Sequence, residues 1–481
     1  MSVREPLAAS TPTPLCVDLD GTLIHSDLLL ESFLLLIKRN PAYLLLVPLW
    51  LLRGKAVLKA EIARRVELNG AALPYCAPYV EWLRSEKAAG RSIWLCTASD
   101  VRLAQRVADH LGFFDGVLSS DGTVNLSGRH KAQALVQRFG ERGFDYCGNE
   151  LVDLAVWRHA RAAIVVNGSN RLAQRARALA PVERLFEKRP ASLRVLAKAL
   201  RVHQWAKNAL IFVPVAAAHR LADATTMGQA LLAFLAFSLC ASSVYLLNDM
   251  LDLEADRQHP RKSKRPFASG ELSLLFGLVA APALLVAAAL LCLALPLKFA
   301  GVLAAYYVAT LAYSFGLKRL VMIDVLALAA LYTVRIVAGA AATAIALSFW
   351  LLMFAIFMFL SLAMVKRYAE LHAMRQAGKL KAHGRGYQVE DLPLIQSLGG
   401  ASGYLSILVL ALYVNSPDIA TLYTHPKVVW ALCPVMLYWI SRIWMQTHRG
   451  HMHDDPLVFA MKDRISLLTG VAAAGVMWLA I

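Results

Sequence analysis

The sequence predicts two folds in one chain, an N-terminal α/β domain followed by an all-α membrane bundle of nine transmembrane helices. Residues 1–200 mix apolar and charged stretches, whereas from about Trp205 long apolar runs alternate with short basic loops. Each part also carries closely spaced carboxylates, one group after a short apolar strand and one at the end of an apolar helix. A chain of 481 residues is long enough for two or more domains.

The charge and cysteine content narrow the class of protein. The net charge is +17, but the basic residues lie in short loops and in the N-terminal domain, without a patch in which they alternate with aromatic residues. An anionic membrane surface and phosphate substrates explain this better than nucleic acid does, so we expect no nucleic-acid partner. The seven cysteines form no CxxC motif, which argues against a disulfide framework and a zinc site. Met1–Pro14 is polar, so no signal peptide is expected.

Four motifs place polar residues after predicted strands of the N-terminal domain. The apolar run Leu15–Val17 is followed by DLDGTL, and a buried strand that ends in this way delivers both acids to the mouth of a parallel sheet. The other three motifs follow in order. They are IWLCTAS with Thr97, GRHKAQAL with Lys131, and GNELVD over Gly148–Asp153.

Together these motifs resemble the haloacid-dehalogenase (HAD) phosphatase superfamily. The resemblance implies a HAD-like (Rossmannoid) α/β phosphatase domain over residues 1–180, with Asp18 as nucleophile and Asp20 as general acid and base. It further implies that Thr97 and Lys131 bind the phosphoryl group. The implied Mg²⁺ ligands are Asp18, Asp20, Asn149 and Asp153. Because Asn149 stands where the family usually has an acid, the metal would be held with less charge. The alternative is a degenerate domain kept as a regulatory module.

Residues 27–90, between the first two motifs, should form a helical cap. The runs Leu28–Ile37 and Tyr43–Leu52 are strongly apolar, and each is too short to span a bilayer. They either pack as the core of the cap or lie on the membrane surface. Residues 181–200 are expected to be a linker to the bundle, which covers 201–481.

The stretch Asn248–Gly270 joins an apolar helix to a basic loop. Asp249, Asp252 and Asp256 are spaced three and then four apart, which places three carboxylates on one helical face. A divalent cation would relieve their repulsion, and Mg²⁺ prefers carboxylate oxygens together with substrate phosphates. The following cations, Arg257, Arg261, Lys262, Lys264 and Arg265, suit phosphate oxygens. The plainer alternative is a charged helix end with basic anchors.

Nine apolar segments predict the spans of the bundle, near 205–218, 227–248, 272–295, 299–315, 324–345, 348–365, 401–415, 427–445 and 465–481. The alternate loops and span ends on one side carry 17 Lys and Arg residues, against 3 on the other side. This bias predicts a multi-pass protein of the cell (inner) membrane. The acidic helix end and the N-terminal domain should then both face the cytoplasm.

Nine spans with NDxxDxxxD, Asn248–Asp256, at the inner end of the second resemble the UbiA family of intramembrane prenyltransferases. Its members bind a diphosphate through Mg²⁺ held by that motif, and many carry a second motif, DxxxD, near the inner end of the sixth span. Here Lys366, Arg367 and Glu370 stand in that region. The segments RVHQWAKN, YSFGLKRLVMID, YTVRIVAGA and KRYAEL are closer to the decaprenyl-phosphate phosphoribosyltransferase branch of the family.

The resemblance implies a donor, phosphoribosyl diphosphate, and an acceptor, polyprenyl phosphate. Asp249, Asp252 and Asp256 would hold Mg²⁺ on the donor, with Asn248 assisting, so that each domain binds one Mg²⁺. The cations expected to bind substrate are Lys207, Arg257, Lys262, Arg265, Lys318, Arg335, Lys366 and Arg367.

Arg335 lies well inside the fifth span and needs a partner or a cavity. Asp324 is a candidate second metal ligand or the partner of Arg335, although eleven residues separate them, about 16 Å along a helix. The stretch Arg449–Pro456 (RGHMHDDP) is most simply a solvated loop.

The fusion suggests a bifunctional enzyme. Transfer leaves a 5-phosphate on the lipid-linked sugar, and a phosphatase on the same face would remove it to give polyprenyl-phosphoryl-ribose, a precursor of an arabinofuranosyl donor for the cell wall. One alternative is a UbiA prenyltransferase that moves a prenyl group from prenyl diphosphate to an aromatic acceptor. The other is a non-catalytic lipid carrier with a regulatory HAD domain. Prenyl length and oligomeric state are left open by the sequence.

Overall fold

The structure is a computed structural model that describes residues 12–187, 192–378, 386–416, 419–452 and 455–481. Most of Met1–Pro14, and parts of the loop 366–400 and of Arg449–Pro456, lie outside the described residues. The chain divides into two compact units. The first comprises Met1–Leu200 and Leu246–Ala280, and the second Arg201–Tyr245 and Ala281–Ile481. Residues 246–280, which the sequence assigns to the bundle, therefore belong to the first unit.

The described part of the first unit contains a six-stranded parallel sheet with the order β3-β2-β1-β4-β5-β6. The strands are β1 Leu15–Val17, β2 Ile93–Asp100, β3 Gly116–Ser120, β4 Asp145–Gly148, β5 Ala163–Gly168 and β6 Val182–Glu187. The fully buried, continuously apolar β1 lies between β2 and β4, as a strand covered on both faces requires. The strand order reverses at β1, and in open parallel sheets ligands bind at this point, beyond the carboxyl ends of the strands.

The expected linker 181–200 is mostly regular structure, which corrects that prediction. Strand β6 pairs in parallel with β5, for example Leu185 with Val165, and a helix follows at Leu193–Ala199. Val182 and Leu185 pack against the core of the sheet. The strand was hidden because three of its six residues, Glu183, Arg184 and Glu187, are charged. The sheet therefore extends to Glu187.

Helices surround the sheet of the first unit. They are α1 Leu28–Arg39, α2 Val47–Leu52, α3 Lys55–Ala63, α4 Ala77–Ala88, α5 Val101–Leu111, α6 Arg129–Phe139, α7 Leu154–Trp157, α8 Asn170–Arg177 and α9 Leu193–Ala199, with 3-10 turns at Pro41–Leu45, Gly70–Ala72 and Leu151–Asp153. Helix α1 begins where the Asp27 carboxylate accepts the Leu30 N–H at 2.9 Å. It ends before Pro41, which cannot continue it.

The two apolar runs of the predicted cap have different surroundings. Leu28, Leu34 and Leu36 of α1 are buried, so the first run packs into the core of the unit. In the second run only Trp50 is buried, whereas Leu45 and Leu52 are 79% and 85% exposed. The segment Pro41–Leu52 thus presents an apolar surface.

The remaining helices of the described chain form the second unit, apart from α12 and the ends of α11 and α13, which belong to the first. They are α10 Val213–Ala217, α11 Ala224–Leu251, α12 Leu253–Arg257, α13 Leu274–Cys292, α14 Leu297–Phe315, α15 Ile323–Thr343, α16 Phe349–Gln376, α17 Leu392–Val414, α18 Ile419–Leu422, α19 Leu432–His448, α20 Pro456–Lys462 and α21 Arg464–Ala480. Short 3-10 helices lie at Val202–Phe212, Lys262–Lys264, Leu317–Arg319, Val389–Asp391 and Pro426–Ala431.

Seven helices in the described ranges are long and apolar enough to cross a membrane. They match the second to eighth predicted spans. The first predicted span, 205–218, is instead a 3-10 helix followed by α10, which starts with Pro214 in its first turn. The last is α21, whose 17 residues fall just short of the usual 20. The prediction of nine spans is therefore not confirmed by length and composition.

Small residues allow close helix packing in the second unit. Gly339 on α15 lies so near the backbone of Ile211 that an added Cβ would be 2.0 Å from the Ile211 carbonyl oxygen. Close approach through a glycine is typical of membrane helices, where packing rather than hydrophobicity holds neighbours together. It brings the segment RVHQWAKN beside α15, the two elements that supply the buried polar residues of this unit.

Candidate functional site

Asp18 and Lys131 form the centre of a polar site at the carboxyl end of the sheet. Asp18 follows β1 directly, and Lys131 lies in the first turn of α6. The Lys131 ammonium is 2.8 Å from an Asp18 carboxylate oxygen and 2.9 Å from the Tyr146 hydroxyl, and it is buried. Burial lowers the pKa of Lys131, but Asp18 and Asp153 outweigh this and raise it, so the ammonium is charged. The structure thus joins two predicted residues that lie 113 positions apart.

Asp20 has surroundings that favour its protonated form. One carboxylate oxygen accepts the Leu28 N–H at 2.7 Å, and the other accepts the Ser99 hydroxyl at 2.8 Å. Burial, followed by the nearby carboxylates of Asp27 and Asp18, raises the pKa of Asp20 to about 7. A carboxyl group with this pKa can donate and accept a proton near neutral pH. Ser99, from the same motif as Thr97, is therefore a direct partner of Asp20, whereas the buried Thr97 hydroxyl accepts the Ser99 N–H.

Hydrogen bonds to Asp153 hold the fourth predicted motif, Gly148–Asp153, in place at the sheet edge. Asp153 accepts the backbone N–H groups of Asn149 and Glu150, each at 2.9 Å, and the Tyr146 hydroxyl at 3.0 Å. Burial and the charge of Asp18 raise the pKa of Asp153 to about 6. Gly21, with φ of +70°, lies so close to Asn149 that a Cβ there would be 2.2 Å from its side-chain nitrogen. The turn after β1 therefore needs glycine to bring Asn149 alongside the first motif.

Within the described ranges, no three His, Cys, Asp or Glu side chains come close enough together to hold a metal ion. At the sheet edge, the oxygen donors of the predicted motifs are Asp18, Asp20, Asp153 and the side-chain amide of Asn149, each of which also takes part in a hydrogen bond or an ion pair. Hard oxygen donors of this kind are what Mg²⁺ prefers. The donor set therefore fits Mg²⁺ in type.

The acidic motif at the end of α11 contains one irregular residue, Asp252, although the helical hydrogen bonds from Asp252 N–H to the Asn248 carbonyl and from Asp256 N–H to the Asp252 carbonyl continue across it, at 3.0 and 2.8 Å. Helix α11 ends at Leu251, Asp252 precedes α12 with φ of −101°, and α12 runs over Leu253–Arg257. Asp249 and Asp256 still come together, because both contact the same nitrogen of Arg265, at 2.9 and 2.6 Å. Burial raises the pKa of Asp256, and Arg265 opposes this effect. Two buried carboxylates thus share one cation, and Arg265 pairs with them rather than with a phosphate.

Asp252 and Arg257 of the same motif have partners in α1. The Lys38 ammonium is 2.8 Å from an Asp252 carboxylate oxygen. Because the i to i−4 hydrogen bonds continue on both sides of Asp252, the placement of the three carboxylates on one helical face stays a prediction. The Arg257 guanidinium makes a two-point ion pair with Glu31, at 2.7 and 2.8 Å, and its role in substrate binding stays a prediction. Both side chains of this pair are less than one-tenth exposed.

The remaining predicted residues of the basic segments have less definite surroundings. Lys262 is exposed in a one-turn 3-10 helix, and Lys318 is partly exposed in another. Asn248 is partly buried in the last turn of α11, where its carbonyl oxygen accepts the Asp252 N–H at 3.0 Å. The roles of these three residues in substrate binding stay predictions.

A second polar cluster lies in the second unit, around Asp455. Its carboxylate is 2.7 Å from the Lys207 ammonium, 3.2 Å from that of Lys366, and accepts the Tyr332 hydroxyl at 2.8 Å. The side chains of Asp455 and Lys207 are 8% and 9% exposed. Burial raises the pKa of Asp455, but Lys366 and Lys207 more than offset this and hold it below its ordinary value. Residue 455 is thus part of a buried site, which corrects the expectation of a solvated loop.

Arg335 extends this cluster. Its guanidinium donates to the Asn208 side-chain oxygen at 2.9 Å and lies 3.3 Å from the Tyr306 hydroxyl. It also lies over the rings of Phe237, Tyr306 and Tyr332 at 5.2–5.7 Å. Arg335 is 4% exposed, and among the described residues it has no carboxylate partner. A buried guanidinium with neutral partners is expensive in a membrane domain and indicates a place for an anion.

Asp324 and Arg367 form an ion pair with each other, 2.6 Å apart, and both side chains are fully buried. The Tyr387 hydroxyl donates to Asp324 at 2.7 Å, and Arg367 also pairs with Glu370. Asp324 and Arg367 are thus partners of each other in this structure, and their predicted roles, as a metal ligand and in substrate binding, stay predictions. The pair joins α15 to α16 and serves packing. Asp324 is likewise not the partner of Arg335.

Sequence reasoning missed five residues that hold these sites together. They are Glu31 and Lys38 in the cap, Tyr146 beside Lys131, Tyr332, and Asp455. Tyr332 lies in the segment YTVRIVAGA, one turn before Arg335, so helical spacing could have pointed to it. The others are brought in from distant segments, and their own neighbours in the sequence give no sign of it.

The seven apolar helices and the buried polar cluster between them define an integral membrane protein. The model of the UbiA prenyltransferase family matches residues 209–462. The chain belongs to the UbiA prenyltransferase family.

Three known proteins are similar to this chain. The uncharacterized protein y4nM of Sinorhizobium fredii is 38% identical over 471 residues, which cover 96% of this chain and 90% of that protein. The decaprenyl-phosphate phosphoribosyltransferase of Mycolicibacterium smegmatis is 32% identical over 295 residues, 60% of this chain and 92% of the relative. A UbiA homolog from Archaeoglobus fulgidus, solved with GPP and Mg²⁺ bound, matches 59% of this chain and 99% of its own, with 14% identity and a TM-score of 0.46.

Proposed function

We propose that the chain is a bifunctional membrane enzyme that transfers 5-phosphoribose from phosphoribosyl diphosphate to polyprenyl phosphate and then removes the 5-phosphate. The transfer reaction is inferred mainly from Arg335. This residue is a buried guanidinium with neutral partners in the described structure, beside Lys207 and Lys366. A phosphate group supplies the missing negative charge. The relative from Mycolicibacterium smegmatis, named a decaprenyl-phosphate phosphoribosyltransferase, supports this choice of substrates.

The transfer step needs no strong base. An anionic oxygen of polyprenyl phosphate attacks C1 of the ribose, the bond from C1 to the diphosphate oxygen breaks, and pyrophosphate leaves with the bonding electrons. Positive charge develops on the ribose as the bond breaks, and negative charge on the leaving group. Arg335, Lys207 and Lys366 bind and orient phosphate oxygens, as fixed cations do in other phosphate sites.

The motif on α11 and α12 is the proposed metal site of this step. Asp249 and Asp256 both lie within 2.9 Å of one nitrogen of Arg265, so the two carboxylates can share a single cation. Asp252 is the third proposed ligand, after release from Lys38. Bound Mg²⁺ would supply charge stabilisation to the leaving pyrophosphate. Arg265, once displaced from the carboxylates, is available to a phosphate oxygen.

The sheet-edge site is the proposed phosphatase. The Asp18 carboxylate attacks phosphorus, and the bond from phosphorus to the ribose 5-oxygen breaks as Asp20 donates its proton to that oxygen. Water then hydrolyses the phosphorylated Asp18, with Asp20 as base. The Lys131 ammonium, 2.8 Å from Asp18, lies where it can balance the charge of the transferred phosphoryl group. Asp18, Asn149, Asp153 and the backbone carbonyl of Asp20 are the proposed ligands of the second Mg²⁺, so that the Asp20 carboxyl group keeps its proton for the leaving oxygen.

The proposed location is the cell membrane, with the N-terminal domain and both reactions on the cytoplasmic side. The excess of Lys and Arg in alternate loops supports this orientation. Phosphoribosyl diphosphate is a soluble, highly charged donor, so the side on which the basic loops lie is the side from which it must enter.

The proposal is tested by supplying purified full-length protein with phosphoribosyl diphosphate, a short polyprenyl phosphate and Mg²⁺, and identifying lipid products by mass spectrometry. Wild type should give polyprenyl-phosphoryl-ribose, and Asp18→Asn should accumulate the 5-phosphorylated lipid. If both proteins accumulate the phosphorylated lipid equally, the phosphatase half is wrong. If neither makes a ribosylated lipid, while prenyl diphosphate labels an aromatic acceptor, the transferase half is wrong.

A further inference from the structure

Helix α1 of the N-terminal domain reaches both acidic sites of the first unit. Its first residue, Leu28, donates its N–H to Asp20 at the sheet edge. Its fourth residue, Glu31, pairs with Arg257 of α12, and its eleventh, Lys38, pairs with Asp252 between α11 and α12. The two ion pairs of α1 join residues that are more than 200 positions apart in the sequence.

The two ion pairs of α1 have a common geometric basis. Glu31 and Lys38 are seven residues apart, two turns of helix, so they lie on one face about 10 Å apart along the axis. That face carries one acid and one base, and the motif presents the complementary base, Arg257, and acid, Asp252. The Arg257 guanidinium also donates to the carbonyl oxygens of Ala268 and Ala72, at 3.0 and 3.2 Å, which fixes it in this place.

The two pairs differ in how firmly they are held. Glu31 and Arg257 are 5% and 9% exposed and meet at two points, so this pair is a fixed attachment. Lys38 and Asp252 are 34% and 28% exposed and meet through one ammonium, so this pair exchanges with solvent at little cost. Asp252 thus makes a partly exposed ion pair with α1, next to the buried pair of Glu31 and Arg257.

We propose that α1 is part of the metal site of the transferase motif. Glu31 positions α12 through Arg257, and Lys38 acts as a replaceable counter-ion that competes with the metal for Asp252. The N-terminal domain then influences metal binding by the motif, because Mg²⁺ and the Lys38 ammonium compete for the same Asp252 carboxylate. The reaction that this metal serves comes from the proposed function. The roles given to Glu31 and Lys38 rest on the contacts of α1.

Metal binding to the purified full-length protein tests the inference without donor or acceptor. Mn²⁺ replaces Mg²⁺ as the probe, and its binding is measured by calorimetry and by the electron paramagnetic resonance signal of free Mn²⁺. Asp249→Asn identifies which binding event belongs to the motif. Because an exposed ion pair is weak, Lys38→Ala should lower the dissociation constant of that event about two- to fivefold. Arg39→Ala, at the exposed end of the same helix, should leave it unchanged, and Lys38→Arg should behave as wild type.

The attachment is tested by hydrogen exchange. Glu31→Gln should speed amide exchange in 252–257 at least tenfold, whereas Glu61→Gln, on α3, should not change it. The inference is overturned if Lys38→Ala binds Mn²⁺ as Arg39→Ala does or more weakly, or if Glu31→Gln leaves exchange in 252–257 unchanged. A protein that meets these metal-binding expectations yet transfers no phosphoribose refutes the proposed function alone.

Discussion

Replacement of Arg335 by Gln separates a structural role of this residue from a role in binding phosphate. Glutamine can still donate to the Asn208 oxygen, which Arg335 contacts at 2.9 Å, but it removes the buried charge. Burying a charge costs several kcal/mol. The hydrogen bond to Asn208 offsets about 1.5–3 kcal/mol of this cost. The aromatic rings at 5.2–5.7 Å each offset about 0.5–2 kcal/mol. The cost of burying the charge and the stabilisation from these contacts therefore nearly cancel.

We therefore expect Arg335→Gln to keep its thermal stability within a few degrees of wild type in detergent. Its transfer activity should behave differently. A charged hydrogen bond to a phosphate is worth about 1.5–3 kcal/mol, which corresponds to a loss of about 10- to 150-fold in kcat/KM. The assay is the release of pyrophosphate from phosphoribosyl diphosphate at varied polyprenyl phosphate, with unfolding followed by the fluorescence of a thiol-reactive dye.

Arg335→Lys is the matched control, because it keeps the charge and shortens the reach. It should retain more activity than Arg335→Gln at similar stability. If Arg335→Gln instead unfolds 10 °C or more below wild type while the folded fraction transfers phosphoribose normally, Arg335 serves packing only. In that case the neutral surroundings of Arg335 do not indicate a phosphate site.

Three further predictions concern the other sites. Because the pKa of Asp20 is raised to about 7, its protonated form is lost above that value, so hydrolysis of ribose 5-phosphate should fall about tenfold per pH unit above pH 7. With p-nitrophenyl phosphate, whose leaving group needs no proton, the rate should stay flat. Asp455→Asn breaks a buried ion pair with Lys207, so unfolding should become easier by about 3–5 kcal/mol, and polyprenyl phosphate should restore part of the loss; an unchanged unfolding temperature would contradict this. We expect the exposed apolar surface of Pro41–Leu52 to lie on lipid, so Leu52→Cys, labelled with a polarity-sensitive dye, should show blue-shifted emission in lipid nanodiscs; Val124→Cys, at 49% exposure, should not.

The sheet-edge site could be predicted largely from the sequence because each of its residues sits in a short motif tied to a strand. Asp18 follows the buried β1, Ser99 lies at the end of β2, and Asn149 follows β4. Parallel strands bring their carboxyl ends to one edge, so order in the sequence was enough to place these residues together. The roles of the residues in that site stay predictions, since y4nM, the reported relative that covers this domain, is itself named only as an uncharacterized protein.

The membrane sites were harder to predict because their partners are fixed by packing between distant segments. Asp455 lies in a polar stretch with no periodicity, and its closest partner, Lys207, is 248 residues away. The irregular residue Asp252 between α11 and α12 could not be predicted, because the spacing of the three acids fits a regular helix equally well. Its contact with Lys38, 214 positions away, is likewise fixed by packing between distant segments.

The cations of α16 explain how the chain manages without a second acidic motif. The UbiA resemblance leads one to expect a DxxxD pair in this region, and such a pair would need a further metal ion to attract a phosphate. Here Lys366 reaches Asp455 on another segment, whereas the fully buried Arg367 is paired with Asp324 on α15. In the proposed reaction, a phosphate that enters the Asp455 cluster takes the place of the Asp455 carboxylate beside Lys366 and Lys207, and it therefore needs no second metal. We propose that such a site suits a substrate with a phosphate in addition to its diphosphate, which is the property that separates phosphoribosyl diphosphate from a prenyl diphosphate.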